Sequence, residues 1–345
     1  MSPRARNLIY SFILLVAILA VYYYRRHQQA PVKIEGPTMG TTYHITYFDK
    51  QKRNFKPQVD SLLRKINESI NTYLDDSEVT LFNRSASSIR FRLPYLREIL
   101  ERSQPVVTES EGAFDPTVMP LVNAWGFGPA QPLQARIPDV DSLRTFVGFE
   151  KIGFNADSVW KTDPRTQLDF GGIGQGYGAD VIARFLKQQG ITDMLVEIGG
   201  EGLACGINRQ TGKPWQIGIL DPNSTPNNLF FKAYVSVTNE SFTTSGGYFN
   251  YREIQGRKFS HTIDPKSGYP VNNPLLSVSV FTKDATSADG WATALMVMGP
   301  EKARSFLEAR PGMQGILMYT TEKGNMEVYI TPGLSGRVKL NQQAP

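Results

Sequence analysis

From Leu8 to Tyr24 the chain reads LIYSFILLVAILAVYYY, apolar almost throughout, with arginines on both sides. A helix needs about twenty such residues to cross a bilayer. Residues 1–30 are therefore predicted as an N-terminal membrane anchor, with a cleaved signal segment as the alternative. No A-x-A cleavage site stands at the end of the run, and Tyr22, Tyr23 and Tyr24 resemble the aromatic belt found at membrane interfaces. The run holds no cysteine for lipid attachment. Arg4 and Arg6 balance Arg25 and Arg26, so charge does not orient it.

Beyond residue 30 the pattern changes to short amphipathic pieces. Thr42, His44 and Thr46 alternate with Tyr43, Ile45 and Tyr47, so Val32–Tyr47 reads as two short strands broken over Gly36–Thr42. Val59, Leu62, Leu63, Ile66 and Ile70 make one face of a helix opening near Pro57; Leu96, Ile99 and Leu100 do the same for a helix opening at Pro94. Thr72–Glu78 between them is a polar loop. Gly112–Thr117 is a turn before the apolar run Val118–Trp125, and Gly126–Pro138 is a loop rich in proline and glycine. A strand is predicted to end near Leu168. After it come Asp169–Asp180 and then a helical face, Val181, Ile182, Phe185 and Leu186, closed by Gly190. Met194–Ile198, Trp215–Leu220, Ala233–Val237 and Leu276–Phe281 read as strands, and Ile316–Tyr319 with Glu327–Ile330 as a closing hairpin. Ala288–Met298 has helical spacing, and Gly299-Pro300 starts a last helix through Leu307. Strands outnumber helices without regular alternation, which predicts an α+β domain over residues 31–345.

Composition changes this picture little. The apolar share of the 345 residues, 41%, is that of a globular protein with a large core. Part of the net charge of +5 comes from the arginines around the N-terminal run, and no basic block with interleaved aromatics follows, which argues against nucleic acid as a partner. The single cysteine, Cys205 in Leu203-Ala204-Cys205, excludes an intramolecular disulfide and a cysteine-built metal site, and reads as a packing residue.

Three stretches carry candidate chemistry. The glycines of Asp169–Asp180 sit where a strand is predicted to turn into a helix. Helix N-termini offer unpaired N–H groups and partial positive charge, which suits a phosphate or pyrophosphate. Asp169 is placed for a metal or a hydroxyl; the alternative is a tight turn with no ligand. Gly174, Gly176 and Ala179 fit only a loose form of the dinucleotide fingerprint. Asp289 and Thr293, four apart on a helix, put a carboxylate and a hydroxyl on one face, two hard donors for Mg²⁺. Alternatively, Asp289 offsets the helix dipole and Thr293 bonds back along its own helix. Of the three histidines, His27 adjoins the membrane run and His44 sits in a strand. His261, in Ser260-His261-Thr262-Ile263-Asp264-Pro265, is the one placed to act as a base or acid. A Ser-His-Asp hydrolase is the competing idea, but no G-x-S-x-G elbow is present.

Taken together, Gly36-Pro37-Thr38-Met39-Gly40-Thr41, Tyr73 with Ser77-Glu78, Gly112–Pro116, Asp169–Asp180, Ser260–Pro265 and Ala288-Asp289 with Thr293 resemble the ApbE family, the FAD:protein FMN transferases. The resemblance covers about residues 33 to 335. It implies an α+β fold with mixed or antiparallel sheets, packed helices and an FAD cleft between two lobes. It also implies a Mg²⁺-dependent enzyme that moves FMN from FAD onto a Ser or Thr hydroxyl as a phosphoester and releases AMP. By resemblance, Met39, Tyr73, Ala113, Phe114, Asp115, Asp169, Gln175 and Ile263 would hold FAD, with Tyr73 apt to stack on a flat ring. Asp289, Thr293 and a backbone carbonyl near Gly172 would hold the metal, and His261 would activate the acceptor hydroxyl. A metal-dependent FAD pyrophosphatase and a non-catalytic FAD-binding protein are the alternatives.

The chain departs from the family pattern in two places. Many members carry lysine where Gln175 stands, which removes a positive charge from the expected phosphate site. Many are lipoproteins, whereas here an apolar helix would attach the domain to the inner membrane, facing the periplasm. No D-x-x-[ST]-G-[AS]-[ST] acceptor site occurs in this chain, so the expected acceptor is another flavoprotein carrying one.

Overall fold

The structure, a computed structural model, describes residues 2–28, 30–130, 137–225, 227–247, 251–254 and 257–341, without the side chains of 23–28, 251, 257 and 258. Tyr23, Tyr24, Arg25, Arg26 and His27 thus fall outside the described side chains, and 131–136 of the predicted 126–138 loop lie outside the described residues. The N-terminal run forms helix α1 (Pro3–Gln28), whose Pro3–Tyr22 portion is long and apolar enough to cross a membrane and is not buried by any other element among the described residues.

A principal antiparallel sheet has the order β1 (Val32–Thr38), β2 (Thr41–Tyr47), β6 (Met194–Ile198), β7 (Glu201–Cys205), β10 (Glu240–Gly246), β13 (Leu275–Thr282), β14 (Gln314–Thr320), β15 (Met326–Ile330). Smaller sheets are β3 (Ser88–Arg90), β5 (Ser158–Lys161) and β4 (Ile152–Phe154); β16 (Val338–Leu340), β9 (Phe231–Val237) and β8 (Trp215–Leu220); and the hairpin β11 (Tyr251–Ile254) with β12 (Arg257–Ser260). Every strand pairing among the described residues is antiparallel, so the α+β expectation holds; a lone Val118–Gln167 bridge is parallel.

The predicted break over Gly36–Thr42 is tighter than expected. Strand β1 runs through Pro37, which is tolerated because β1 is an edge strand, and the turn is Met39-Gly40 with φ of 49° and 72°. No strand forms at Leu168. Its backbone N–H and C=O instead bond the amide side chain of Asn83 at 2.7 and 2.8 Å, which pins the segment extended without a ladder. The polar loop after Tyr73 ends in helix α3 (Glu78–Arg84), too short to show a period, with the Ser77 hydroxyl capping the Thr80 N–H at 3.2 Å.

Helices α2 (Lys56–Ile70), α4 (Tyr95–Glu109), α7 (Gly174–Gln188), α8 (Ala285–Met298) and α9 (Pro300–Glu308) cover one face of the principal sheet and share its core. The other face packs on β8 and β9 through Phe242, Phe281, Ile217 and Val235. A third, smaller core joins α5 (Met119–Ala124), α6 (Val140–Arg144) and the β11–β12 region around the buried Trp125. Cys205 is buried in β7, as its apolar neighbours predict.

Candidate active site

The site begins where α7 and α8 cross. Gly176, in the first turn of α7, lies so close to α8 that a β-carbon on it would stand 2.1 Å from the Ala285 carbonyl oxygen. That approach lets Asp289 on α8 accept the Gly176 N–H at 2.9 Å. One helical turn on, the Thr293 hydroxyl donates to the Gly172 carbonyl at 3.2 Å, and a β-carbon on Gly172 would meet that hydroxyl at 2.8 Å. Asp289 is the fifth residue of α8, beyond its first turn, and Thr293 bonds across to another segment. Neither local explanation raised for the pair therefore applies. From α7, Asp180 accepts the Ala285 and Thr286 N–H groups at 2.9 Å each, which fixes the start of α8.

Beside this crossing opens a cleft of about 790 Å³. All three cores contribute walls: Asp169, Gly171, Gly172, Gln175, Asp289 and Thr293 from the helical layer; Gly218, Leu220 and Thr244–Gly246 from the strands; Val118, Val122, Gly126–Pro129 and His261–Ile263 from the smallest core. Tyr73 stands at the rim, 66% exposed, its hydroxyl donating to the Phe127 carbonyl at 3.1 Å. Eight of the sequence-derived candidates thus meet: Tyr73, Asp169, Gly172, Gln175, His261, Ile263, Asp289 and Thr293.

Met39, Ala113, Phe114 and Asp115 are not among the residues that line this cleft. Met39 packs under α7, its methyl group facing Gly178, while Ala113 and Phe114 are buried in the principal core. The Asp115 carboxylate accepts from Thr117 N–H at 2.8 Å and Phe149 N–H at 3.0 Å, tying two loops together.

Electrostatics set the site apart. Asp289 is 4% exposed, and burial pushes its carboxyl up to about 7, against the hydrogen bonds from the start of α7. Burial likewise pushes up Asp169, whose Oδ1 accepts the Gly171 N–H at 2.9 Å.

The ApbE family model matches residues 39–317. A curated Vibrio cholerae protein named FAD:protein FMN transferase is 38% identical over 285 residues, which is 81% of this chain and 84% of that protein. The Escherichia coli K12 protein of the same name is 34% identical over 318 residues, 89% of each chain. The chain belongs to the ApbE family. Among solved structures, flavin transferase ApbE from Vibrio cholerae matches at TM-score 0.78 and 34% identity, covering 88% of this chain and 98% of that one. The apo form of Pseudomonas stutzeri flavinyl transferase ApbE matches at TM-score 0.77, again at 34% identity, covering 89% and 96%.

In this ApbE chain the donor set at the helix crossing fits a hard divalent cation. A carboxylate, a hydroxyl and a carbonyl are all oxygen donors. Among the described residues no three His, Cys, Asp or Glu side chains gather as a metal cage. One carboxylate with room for water is the Mg²⁺ pattern. Sequence reading missed the Gly199-Gly200-Glu201 turn, the Thr244–Gly246 end of β10 and Arg252, all on the cleft. The double glycine before an apolar strand was a hairpin signal; the others carried no local mark.

Proposed function

We propose that this protein is a Mg²⁺-dependent FAD:protein FMN transferase acting on a flavoprotein with a D-x-x-[ST]-G-[AS]-[ST] type site. The observation that carries this reading is the Asp289–Thr293–Gly172 oxygen set sharing one cleft with His261. Family membership and the names of the relatives support it.

Asp289, Thr293 and the Gly172 carbonyl would hold Mg²⁺, which when bound neutralises charge on the pyrophosphate. The Tyr73 ring, exposed at the rim, offers a face for the isoalloxazine. His261 takes the proton of the acceptor hydroxyl as its oxygen attacks the phosphorus of the FMN half. The new O–P bond replaces the bond to the bridging oxygen, which leaves with AMP. Arg252 brings a guanidinium to the cleft, where Gln175 gives no positive charge. Residues 31–345 form the catalytic domain, and α1 is read as the anchor that holds it on the periplasmic side of the inner membrane; the exposed apolar length of α1 supports the anchor, and the family resemblance its side.

The experiment is incubation with FAD, Mg²⁺ and a candidate acceptor domain, followed by mass spectrometry. An FMN-sized mass gain on the acceptor is the expected outcome. Free FMN with an unmodified acceptor would make the protein an FAD pyrophosphatase.

A further inference from the structure

The pairing of β7 with β10 stops at Gly202 opposite Phe242. Just before, the chain turns from β6 into β7 through Gly199 and Gly200, with φ of 67° and 110°. Strand β10 runs on from Thr243 to Gly246 with no strand beside it on that side among the described residues, and this gap is part of the cleft. Glu201, the first residue of β7, stands at its edge. It is 8% exposed, yet its Oε2 has no hydrogen-bond partner among the described residues. Buried polar atoms in folded proteins are nearly always satisfied, so an orphan on a cleft wall points to a ligand atom. Burial, and then the charge of nearby Asp289, push the Glu201 carboxyl well above the usual carboxylate range.

We infer that Glu201 binds a sugar hydroxyl beside the substrate's diphosphate and so selects ligands that carry one there. The inference rests on the diphosphate reading of the Asp289–Thr293 end of the cleft. A hydroxyl both donates and accepts, so it satisfies Glu201 whether or not the carboxyl holds its proton. A phosphate oxygen only accepts and is repelled by the ionised form, and a base amino group only donates. Two sugars flank the diphosphate of FAD: the ribose of adenosine and the ribityl chain of the flavin. Either lies within one residue's reach of the diphosphate.

The test is equilibrium binding to the full-length protein in Mg²⁺ buffer. One arm compares ADP with 2′,3′-dideoxy-ADP. The other compares FAD with an FAD analogue whose flavin carries an unsubstituted five-carbon chain. A hydrogen bond to a charged group is worth about ten- to a hundredfold in affinity. Native protein should lose about that factor in one arm, the first assigning the ribose and the second the ribityl chain. Glu201→Ala should weaken the parent ligand by the same factor and no longer distinguish that pair. Glu201→Gln, which keeps shape, donor and acceptor, should retain most of the discrimination. Unchanged discrimination in Glu201→Ala overturns the inference. So does a variant whose sole defect is a higher Mg²⁺ requirement, equal for all four ligands. Native protein that binds neither FAD nor ADP would instead overturn the reading of the cleft itself.

Discussion

Asp289 is the residue on which the metal reading turns, and its burial makes the reading pH-dependent. A cation needs the ionised carboxylate, so Mg²⁺ affinity should fall by about tenfold per pH unit below pH 7. Stability has a linked sign. The folded-state value is raised above the unfolded one, so the contribution is full below the unfolded value and is lost as pH rises through about 7. Metal-free Asp289→Asn should therefore melt higher than the metal-free native protein at pH 8, and no higher at pH 4. Mg²⁺ should raise the melting temperature of the native protein and leave that of the variant unchanged. Scanning calorimetry at the two pH values, with and without metal, checks all of these. His261 belongs to the same scale but to another step. His261→Ala should slow acceptor labelling by about 10²–10⁴-fold with FAD affinity changed little. Labelling rate at saturating FAD, beside fluorescence quenching by FAD, is the measurement. Lost FAD binding at an unchanged rate would make His261 a binding residue.

At the scale of elements, the site depends on how closely α7 and α8 approach. Gly176 permits that approach, and Asp180 fixes the first turn of α8, so Asp289 reaches the Gly176 N–H and Thr293 the Gly172 carbonyl. A methyl group at residue 176 meets backbone, which cannot rotate away. Gly176→Ala should cost about 1–3 kcal/mol of stability, as overpacking does. It should also weaken Mg²⁺ binding, because the helices must part. Chemical denaturation and metal titration of the same variant test the two effects. Stability loss with native metal affinity would separate the seam from the site.

At the scale of the whole molecule, α1 has no packing partner among the described residues, whereas the remainder closes three cores of its own. Removal of residues 1–30 should leave the fold and FAD binding intact and release the protein from membranes. Fractionation of cells expressing the full-length and shortened forms decides this. Full-length protein in the soluble fraction would sink the anchor reading and favour a cleaved signal.

Much of this protein was legible in one dimension. The apolar length of α1, the period of two in β2 and the period of 3.6 in α2 and α4 set local structure, because each buries one face whatever its neighbours are. Asp289 and Thr293 were legible as a pair because four residues return a helix to the same face. The strand expected at Leu168 was not there, because the partner of that backbone is the Asn83 side chain, 85 residues away. Glu201, Thr244 and Arg252 carried no local signal; they belong to the cleft because β7 pairing ends early and three cores meet there. Periodicity reports which face of an element is buried, and so the sequence by itself determined the elements and their chemically apt pairs. Which distant backbone and side-chain atoms share a cavity depends on contacts between elements, and only the tertiary structure decided that.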